Sequence, residues 1–322
     1  MKEIKLKQND LKLLAYLYHN ARESSTKIAK ELNLTREQIN YKIQKFESQG
    51  LIKGYIPLIN YAKFNYPHQI ILLLKFSNNS KIQEFKKNHK QDKNRILHGE
   101  LLSKYDFFMV LVFQNPKQRN DYIFSLLHKN KEITDYLILE PHHLENYPLK
   151  FAGISKKEPH LIIEYKKPEI KIDEKEKQIL KILSKNAKAR IIDIAKQTNL
   201  SAELVVYKLK RLKKEKAFLG ARAYFDMEKL GYFYTLIFLT FTNFSKDIQE
   251  KLKHFAKTNQ HVENLSLMLG KPNAYVQIFH KEESELRKVL ENLKEIFKQE
   301  SFTSEIIPLK KEGENVNALP FL

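Results

Sequence analysis

Apolar side chains recur at helical spacing along the start of the chain and then switch to the shorter period of strands. NDLKLLAYLYHN carries Leu11, Leu14, Leu17 and Tyr18 on one helical face, with Asp10 available as its N-cap. A short second helix follows in SSTKIAKELN. Thr35 then opens a third, and Gln38 three residues on completes a capping box. In that helix Ile39, Ile43 and Phe46 share one face, whereas Arg36, Asn40 and Gln44 point elsewhere. Gly50 stops it, and the β-rich LIKGYIPLI comes next. Three short helices followed by a hairpin predict a winged helix-turn-helix. Beyond it HQIILLLKF, KIQEFKKNHK, RILHGELL, YDFFMVLVFQ, PKQRNDYIFSLLHKN and ITDYLILE alternate strand and helix as βαββαβ, the order of a ferredoxin-like sandwich with both helices on one face of an antiparallel sheet.

The whole pattern occurs twice. TREQINYKIQKFESQGLIKG at 35–54 aligns without a gap with SAELVVYKLKRLKKEKAFLG at 201–220, an offset of 166. Asn20-Ala21 returns as Asn186-Ala187, Ile28-Ala29-Lys30 as Ile194-Ala195-Lys196, and Tyr66 as Tyr232. Further on the offset becomes 167, where LSKYDFFMVLVF faces LGKPNAYVQIFH. A tandem duplication of an α+β unit follows. Its expected limits are 1–60 and 61–150 for the first winged helix and ferredoxin-like domain, 151–170 for a linker holding one short strand, LIIEY, and 171–226 and 227–322 for the second pair. Each sheet keeps an uncovered apolar face, and the other copy is the nearest surface to cover it.

Composition narrows the partners. The formal charge is +19 with a pI near 9.6, and the basic residues run along the whole length, which suits an anionic polymer; a lysine-rich compositional bias is the bland alternative. There is no cysteine, so disulfides, thiolate metal sites and thiol nucleophiles are excluded. Only eight glycines occur, in no phosphate-cradling motif. The start lacks a signal-peptide pattern, and the longest apolar runs, IILLL and YFYTLIFLTF, are short of the ~18 residues of a membrane span. These features lead to the expectation of a cytoplasmic protein. The pair His142-His143 is a metal cue, but zinc takes three or four ligands and no cysteine is present, so no metal is expected.

Ile28-Ala29-Lys30, Leu34-Thr35, Lys42-Ile43, Lys45-Phe46, Gly50, Ile52, Gly54-Tyr55 and Tyr105-Asp106, in a helix-turn-helix leading into βαββαβ, resemble the Lrp/AsnC (feast/famine) transcription regulators. The resemblance spans nearly the whole chain, twice. It implies a RAM-type ferredoxin-like domain after each winged helix, double-stranded DNA as partner and an amino acid as effector. Family members carry one unit per chain and dimerise through their sheets, so the fusion implies an intramolecular pseudo-dimer, with a homodimer of the chain as a further possibility. The family's effector loop, G-x-Y-D, corresponds to Ser103-Lys104-Tyr105-Asp106 and to Gly270-Lys271-Pro272-Asn273. Each copy keeps part of it, which makes Ser103, Tyr105, Asp106, Gly270 and Asn273 the candidate effector residues, with no other cofactor expected.

A recognition helix presents long polar side chains to base edges and flanks them with cations for phosphate. In the first unit the expected contacts are Arg36, Gln38, Asn40 and Tyr41 on bases and Lys42, Lys45 and Lys53 on phosphate. In the second they are Ser201, Tyr207, Lys208, Lys210, Arg211 and Lys214. Residues 35–50 hold Arg36, Lys42 and Lys45 against Glu37 and Glu47, a net of +1. Residues 201–216 hold Lys208, Lys210, Arg211, Lys213, Lys214 and Lys216 against Glu203 and Glu215, a net of +4. Helix one is thus expected to read sequence and helix two to grip the backbone. Two other functions fit the architecture: a chromatin-like protein with little sequence preference, and an enzyme resembling the sirohaem decarboxylases, for which Arg95 and His98 would face a tetrapyrrole between the sheets.

Overall fold

The computed structural model describes residues 6–78, 80–89, 92–153, 158, 161–164, 170–314 and 316–322. The first unit runs α1 (Gln8–Asn20), α2 (Ser25–Leu32), α3 (Arg36–Ser48), β1 (Ile52–Ile59), β2 (His68–Phe76), α4 (Ser80–Asn88), β3 (Arg95–Leu101), β4 (Phe107–Phe113), α5 (Pro116–Lys129) and β5 (Ile133–Asn146). A short β6 (Leu161–Glu164) lies in the connection; the final tyrosine of the expected LIIEY strand is outside the described residues. The second unit repeats the order as α6 (Glu174–Lys185), α7 (Ile191–Thr198), α8 (Ala202–Lys214), β7 (Phe218–Phe225), β8 (Phe233–Phe241), α9 (Lys246–Thr258), β9 (Val262–Leu269), β10 (Ala274–His280), α10 (Glu283–Ile296) and β11 (Phe302–Glu314). This is the tandem α+β architecture that the repeat predicts.

Helix starts follow local chemistry. The Thr35 hydroxyl accepts from the Gln38 N–H at 3.1 Å while the Gln38 side chain accepts from the Thr35 N–H at 2.9 Å, the capping box read from sequence. Asp10 acts differently from its expected role: α1 begins at Gln8, and the Asp10 carboxylate, one turn inside, accepts the Lys7 N–H at 3.0 Å. Asn33 and Asn199 end α2 and α7 at φ 53° and 52°, the left-handed region in which asparagine is tolerated. After α3 that place is taken by Gly50 at φ 63°; after α8 it falls on Lys216 at φ 55°.

Each ferredoxin-like sheet has the order β5-β2-β4-β3 or β11-β8-β10-β9, and the two are not separate. The far half of β5 pairs with β9, and the far half of β11 pairs with β3, so the strands close into a ring. Each crossing strand changes partner beside a proline. Pro141 marks the shift in β5, and β11 leaves β8 at Pro308, where a missing N–H interrupts one ladder and frees the strand for the next. Leu73, Phe108, Leu139, Phe238, Met268, Tyr275 and Ile307 form the core inside the ring, which is how the two uncovered faces are buried.

The expected wing hairpin is replaced by an exchange. Instead of folding on a neighbour from its own unit, β1 pairs antiparallel with β7. In that ladder Ile56 lies opposite Arg222, its own counterpart at the repeat offset, so a local dyad passes between them. The flanking bonds obey it: Ala21 N–H to Ala221 O (2.9 Å) mirrors Ala187 N–H to Tyr55 O (3.2 Å), and Asp226 N–H to Leu51 O (2.9 Å) mirrors Asn60 N–H to Ala217 O (3.1 Å). Each strand closes the other unit's helical core: Ala221, Ala223 and Phe225 join the core of α1–α3, and Ile59 joins that of α6–α8. The pieces after β5 and β11 cross as well. Phe151 packs on Tyr232 at 4.3 Å and Phe321 stacks on Tyr66 at 4.1 Å, a pair of contacts at equivalent places.

Candidate nucleic-acid interface

The α3 and α8 helices turn an apolar side inward, through Ile39, Ile43 and Phe46 in one and Val205 and Leu212 in the other. Their outer sides are open. Tyr41 is 67% exposed and Tyr207, its counterpart, 64%, an unusual display for a large aromatic. Arg36, Gln44 and Lys45 on α3 and Lys210, Lys213 and Lys214 on α8 are exposed, and Lys216 lies just beyond. Of the residues expected to meet DNA, Arg36, Tyr41, Lys45, Tyr207, Lys210 and Lys214 therefore stand on the two outer surfaces, and none of their cations is held in an ion pair among the described residues.

Others on that expected set have structural partners. Gln38 caps its own helix, and Ser201 accepts the Leu204 N–H at 3.2 Å at the start of α8. Asn40 receives the Ser25 hydroxyl at 2.6 Å, tying α3 to α2, yet it stays exposed. Lys53 pairs with Asp226 at 3.2 Å across the β1/β7 ladder. Three cations expected on phosphate are instead turned to the first helix of their own unit. Lys42 is bonded to Asp10, Lys208 to Asp173 at 2.5 Å, and Arg211 to Glu176 at 2.7 Å. Glu176 is fully buried, so its charge requires a partner, and Arg211 also reaches the Lys171 carbonyl at 2.9 Å. The hydrogen bond to Glu176 holds the Arg211 guanidinium above its usual value. Burial acts to raise the Asp173 carboxyl, but the bonds from Lys208 and the Glu176 backbone outweigh it and set it below the usual range. These pairs brace α3 and α8 from behind. Sequence spacing gives the helical face of a cation but not the acid waiting opposite it some thirty residues away.

The residues expected to hold an effector are consumed within their turns. Asp106 accepts the Phe76 N–H at 2.8 Å and the Lys75 ammonium at 3.0 Å; Asn273 accepts the Phe241 N–H at 2.6 Å and donates to the Gly270 carbonyl at 2.9 Å. Aspartate and asparagine thus do the same job in the two copies, tying the β3–β4 and β9–β10 turns to the ends of β2 and β8. Ser103 bonds the Tyr105 backbone, and Tyr105 is buried in the core within the ring.

A cavity of about 240 Å³ lies between the sheets below β1 and β7. Neither Arg95 nor His98 lines it. His98 packs on Phe107, on the helix-covered side of its sheet, and Arg95 donates to the His89 carbonyl at the end of α4. His143 meets Glu145 at 2.9 Å, and among the described residues no group of three His, Asp or Glu side chains is placed to hold a metal ion. Among the same residues no helix is long and apolar enough to cross a membrane.

Comparison with known proteins matches residues 6–53 and 172–216 to a family described as winged helix-turn-helix DNA-binding. An uncharacterized HTH-type transcriptional regulator from Pyrococcus furiosus is 30% identical over 118 residues, covering 37% of this chain and 79% of that protein. One from Pyrococcus abyssi is 29% identical over 122 residues, covering 38% and 82%. In solved structures, the siroheme decarboxylase NirDL superposes over 98% of this chain and 96% of its own with a TM-score of 0.60 at 15% identity, a likeness of fold.

Proposed function

The chain belongs to the winged helix-turn-helix transcriptional regulators, with two such regions fused in one polypeptide, and on that premise we propose that it is a sequence-specific double-stranded DNA-binding regulator of Lrp/AsnC type, acting in the cytoplasm as a single-chain pseudo-dimer. The observation that carries this reading is the pair of exposed helices, α3 and α8, related by the dyad at Ile56/Arg222 and each braced from within by its own acid–base pair. Bracing fixes the backbone that a groove-reading helix has to hold in register, and leaves the outer side chains free.

The two helices are not equivalent readers. Arg36 and Asn40 give α3 planar and donor–acceptor groups suited to base edges, whereas Ala202 and Val206 occupy the matching positions of α8, whose outer charge is lysine; Tyr41 and Tyr207 are common to both. An asymmetric operator follows, with one half-site read and the other gripped. Exchanging residues 35–50 with 201–216 and footprinting the product tests it: the protected pattern should reverse its polarity, and an unchanged, symmetric footprint would refute the assignment.

The length-wide likeness of fold to a siroheme decarboxylase gives the enzyme reading its one support. Against it, the strand residues that would serve a tetrapyrrole, Arg95 and His98, do not border the inter-sheet cavity. Adding sirohaem should leave its Soret band unshifted; a shifted band would favour the enzyme. A chromatin-like role would appear as less than about tenfold preference for a mapped promoter over bulk DNA, where specific regulators reach at least ~10³.

A further inference from the structure

The two helix-turn-helix units are attached to the sheets by unequal means. The core of α1–α3 runs on into the second ferredoxin-like sheet, through Phe279 of β10 and Tyr234 of β8, whose rings lie 4.7 Å apart. The core of α6–α8 stops short. Leu319, Tyr61, Phe64 and Phe321 join it from connecting segments, and among the described residues none of its members comes from β2–β5 or β8–β11. At the repeat offset the counterpart of Phe279 is Val112, a much smaller side chain.

Hydrogen bonds divide the same way. The Tyr18 hydroxyl of α1 donates to Glu263 of β9 at 2.8 Å and accepts from Arg222 at 3.2 Å, with Tyr18 and Glu263 both buried. His19 meets the Tyr147 carbonyl at 3.2 Å, Gln8 donates to the Ala152 carbonyl at 3.0 Å, and Lys229 of the second unit donates to the Gln49 carbonyl at the end of α3 at 2.8 Å. Ser184, Lys185 and Glu174 stand at the places of Tyr18, His19 and Gln8 in the second copy. Ser184 turns its hydroxyl back to the Lys181 carbonyl of its own helix at 2.8 Å, Lys185 is exposed, and Glu174 bonds Lys177 at 2.5 Å. The polar ties of this unit to the first gather instead at the α6–α7 turn. Arg22 donates to the Ala187 and Ala189 carbonyls at 2.5 and 3.1 Å, and Lys188 to the Tyr55 hydroxyl at 3.2 Å.

We propose that the inequality is functional: α1–α3 is fixed on the second sheet, with Tyr18 and Glu263 as its positioning pair, while α6–α8 rocks about the α6–α7 turn so that α8 follows the DNA backbone. A unit with few buried contacts to the rest of a fold shifts at the least cost. A helix that reads base edges has to hold its register, whereas lysines on phosphate tolerate displacement, each being a point charge on a flexible stem. The unit with Arg36 and Asn40 is the fixed one, and the unit whose outer charge is lysine is the free one. On DNA the consequence is tolerance of the distance between the two half-sites. That consequence rests on the DNA-binding reading; the unequal mounting does not.

The chain holds no cysteine, so spin labels can be placed in pairs on the full protein. Gln44→Cys with Asn292→Cys measures α3 against α10, and their counterparts in the repeat, Lys210→Cys with Ser125→Cys, measure α8 against α5; all four sites are exposed. By double electron–electron resonance the second distance distribution should be about twofold broader than the first, or more. Tyr18→Phe keeps the ring and removes the hydroxyl. It should widen the first distribution and leave the second unchanged, a selectivity that a general loss of stability would not give. Equal widths in the parent, or a first distribution indifferent to Tyr18→Phe, would overturn the proposal; if that variant does not fold, the two pairs in the parent decide. On DNA, one base pair inserted between the halves of the footprinted site turns them by about 34° and parts them by about 3.4 Å. Anisotropy should then show less than about a tenfold loss of affinity. A larger loss with the spin-label result intact overturns the adaptation of α8 alone, and an absence of binding to every duplex strikes the DNA-binding reading instead.

Discussion

The internal bracing of the recognition helices can be separated from DNA contact by salt. Among the described residues the outward cations of the two helices and their ends are Arg36, Lys45, Lys210, Lys213, Lys214 and Lys216, while Lys42, Lys208 and Arg211 are bound to Asp10, Asp173 and Glu176. If each outward cation neutralises one phosphate, log affinity falls against log salt with a slope of about −5, at roughly 0.9 per contact. Lys45→Met should lower the steepness by about 0.9 and weaken binding at every sequence alike. Lys42→Met should leave the slope as it was, because the Lys42 side chain, only 22% exposed, is spent on that of Asp10, 14% exposed. What it should lose instead is stability, by about 1–2 kcal/mol, since Asp10 keeps its charge without its partner. Fluorescence anisotropy of a labelled duplex between about 50 and 200 mM salt, run beside urea melts, reads both quantities. Equal flattening of the slope by Lys42→Met and Lys45→Met would refute the division between bracing and contacting cations.

Three further outcomes are expected. Lys216 occupies the left-handed position that Gly50 fills in the first copy; relieving a cost of about 1–2 kcal/mol against the ~0.5–1 kcal/mol of added chain entropy, Lys216→Gly should raise stability by roughly 0.5–1 kcal/mol, seen as a higher urea midpoint at constant m. Burial lowers the Lys150 ammonium to about 7 despite the opposing pull of Glu263. Between that pH and the ordinary lysine value the unfolded chain holds a proton that the folded chain lacks, so stability should climb above pH ~7 with a slope approaching 1.4 kcal/mol per pH unit at about full effect, and Lys150→Met should flatten it in melts across that range. Ile56→Arg restores like facing like at the dyad and should cost roughly 2–4 kcal/mol by melting, because a second guanidinium arrives beside a single carboxylate that Tyr18, Gln277 and Asn146 already use.

Local signals carried most of the secondary structure. The Thr35 capping box, the apolar face of α3 and the nine-residue strand His68–Phe76 each depend on neighbours within a few positions, and they were legible for that reason. The strand extensions were not. HHLEN and KKEGE look like polar loop, and they become strand only because an edge from the other unit is there to pair with them. Pro141 and Pro308, at matching places in the repeat, were the available signal for a change of partner. The same limit governed the site: Tyr41 and Tyr207 could be placed on an outer face by period alone, whereas the bonds of Lys42 to Asp10 and of Asn273 to Phe241 require the fold.

Fusion explains why the dyad tolerates its own violation. In a dimer of identical chains, whatever stands on the two-fold axis of the β1/β7 ladder faces a copy of itself. Arginine there would meet arginine, with two copies of Glu263 below and no apolar wall between them. With both halves in one polypeptide, Ile56 and Arg222 answer to separate codons, and one can be hydrocarbon while the other carries charge. The same freedom gives α3 its mixed polar surface and α8 its lysines, and lets the cavity hold Ile96, Leu97 and Val110 from one copy where the other supplies Glu263, Asn264 and Gln277. The asymmetry of the helices and that of the cavity thus have one origin, the independence of the two copies within one chain.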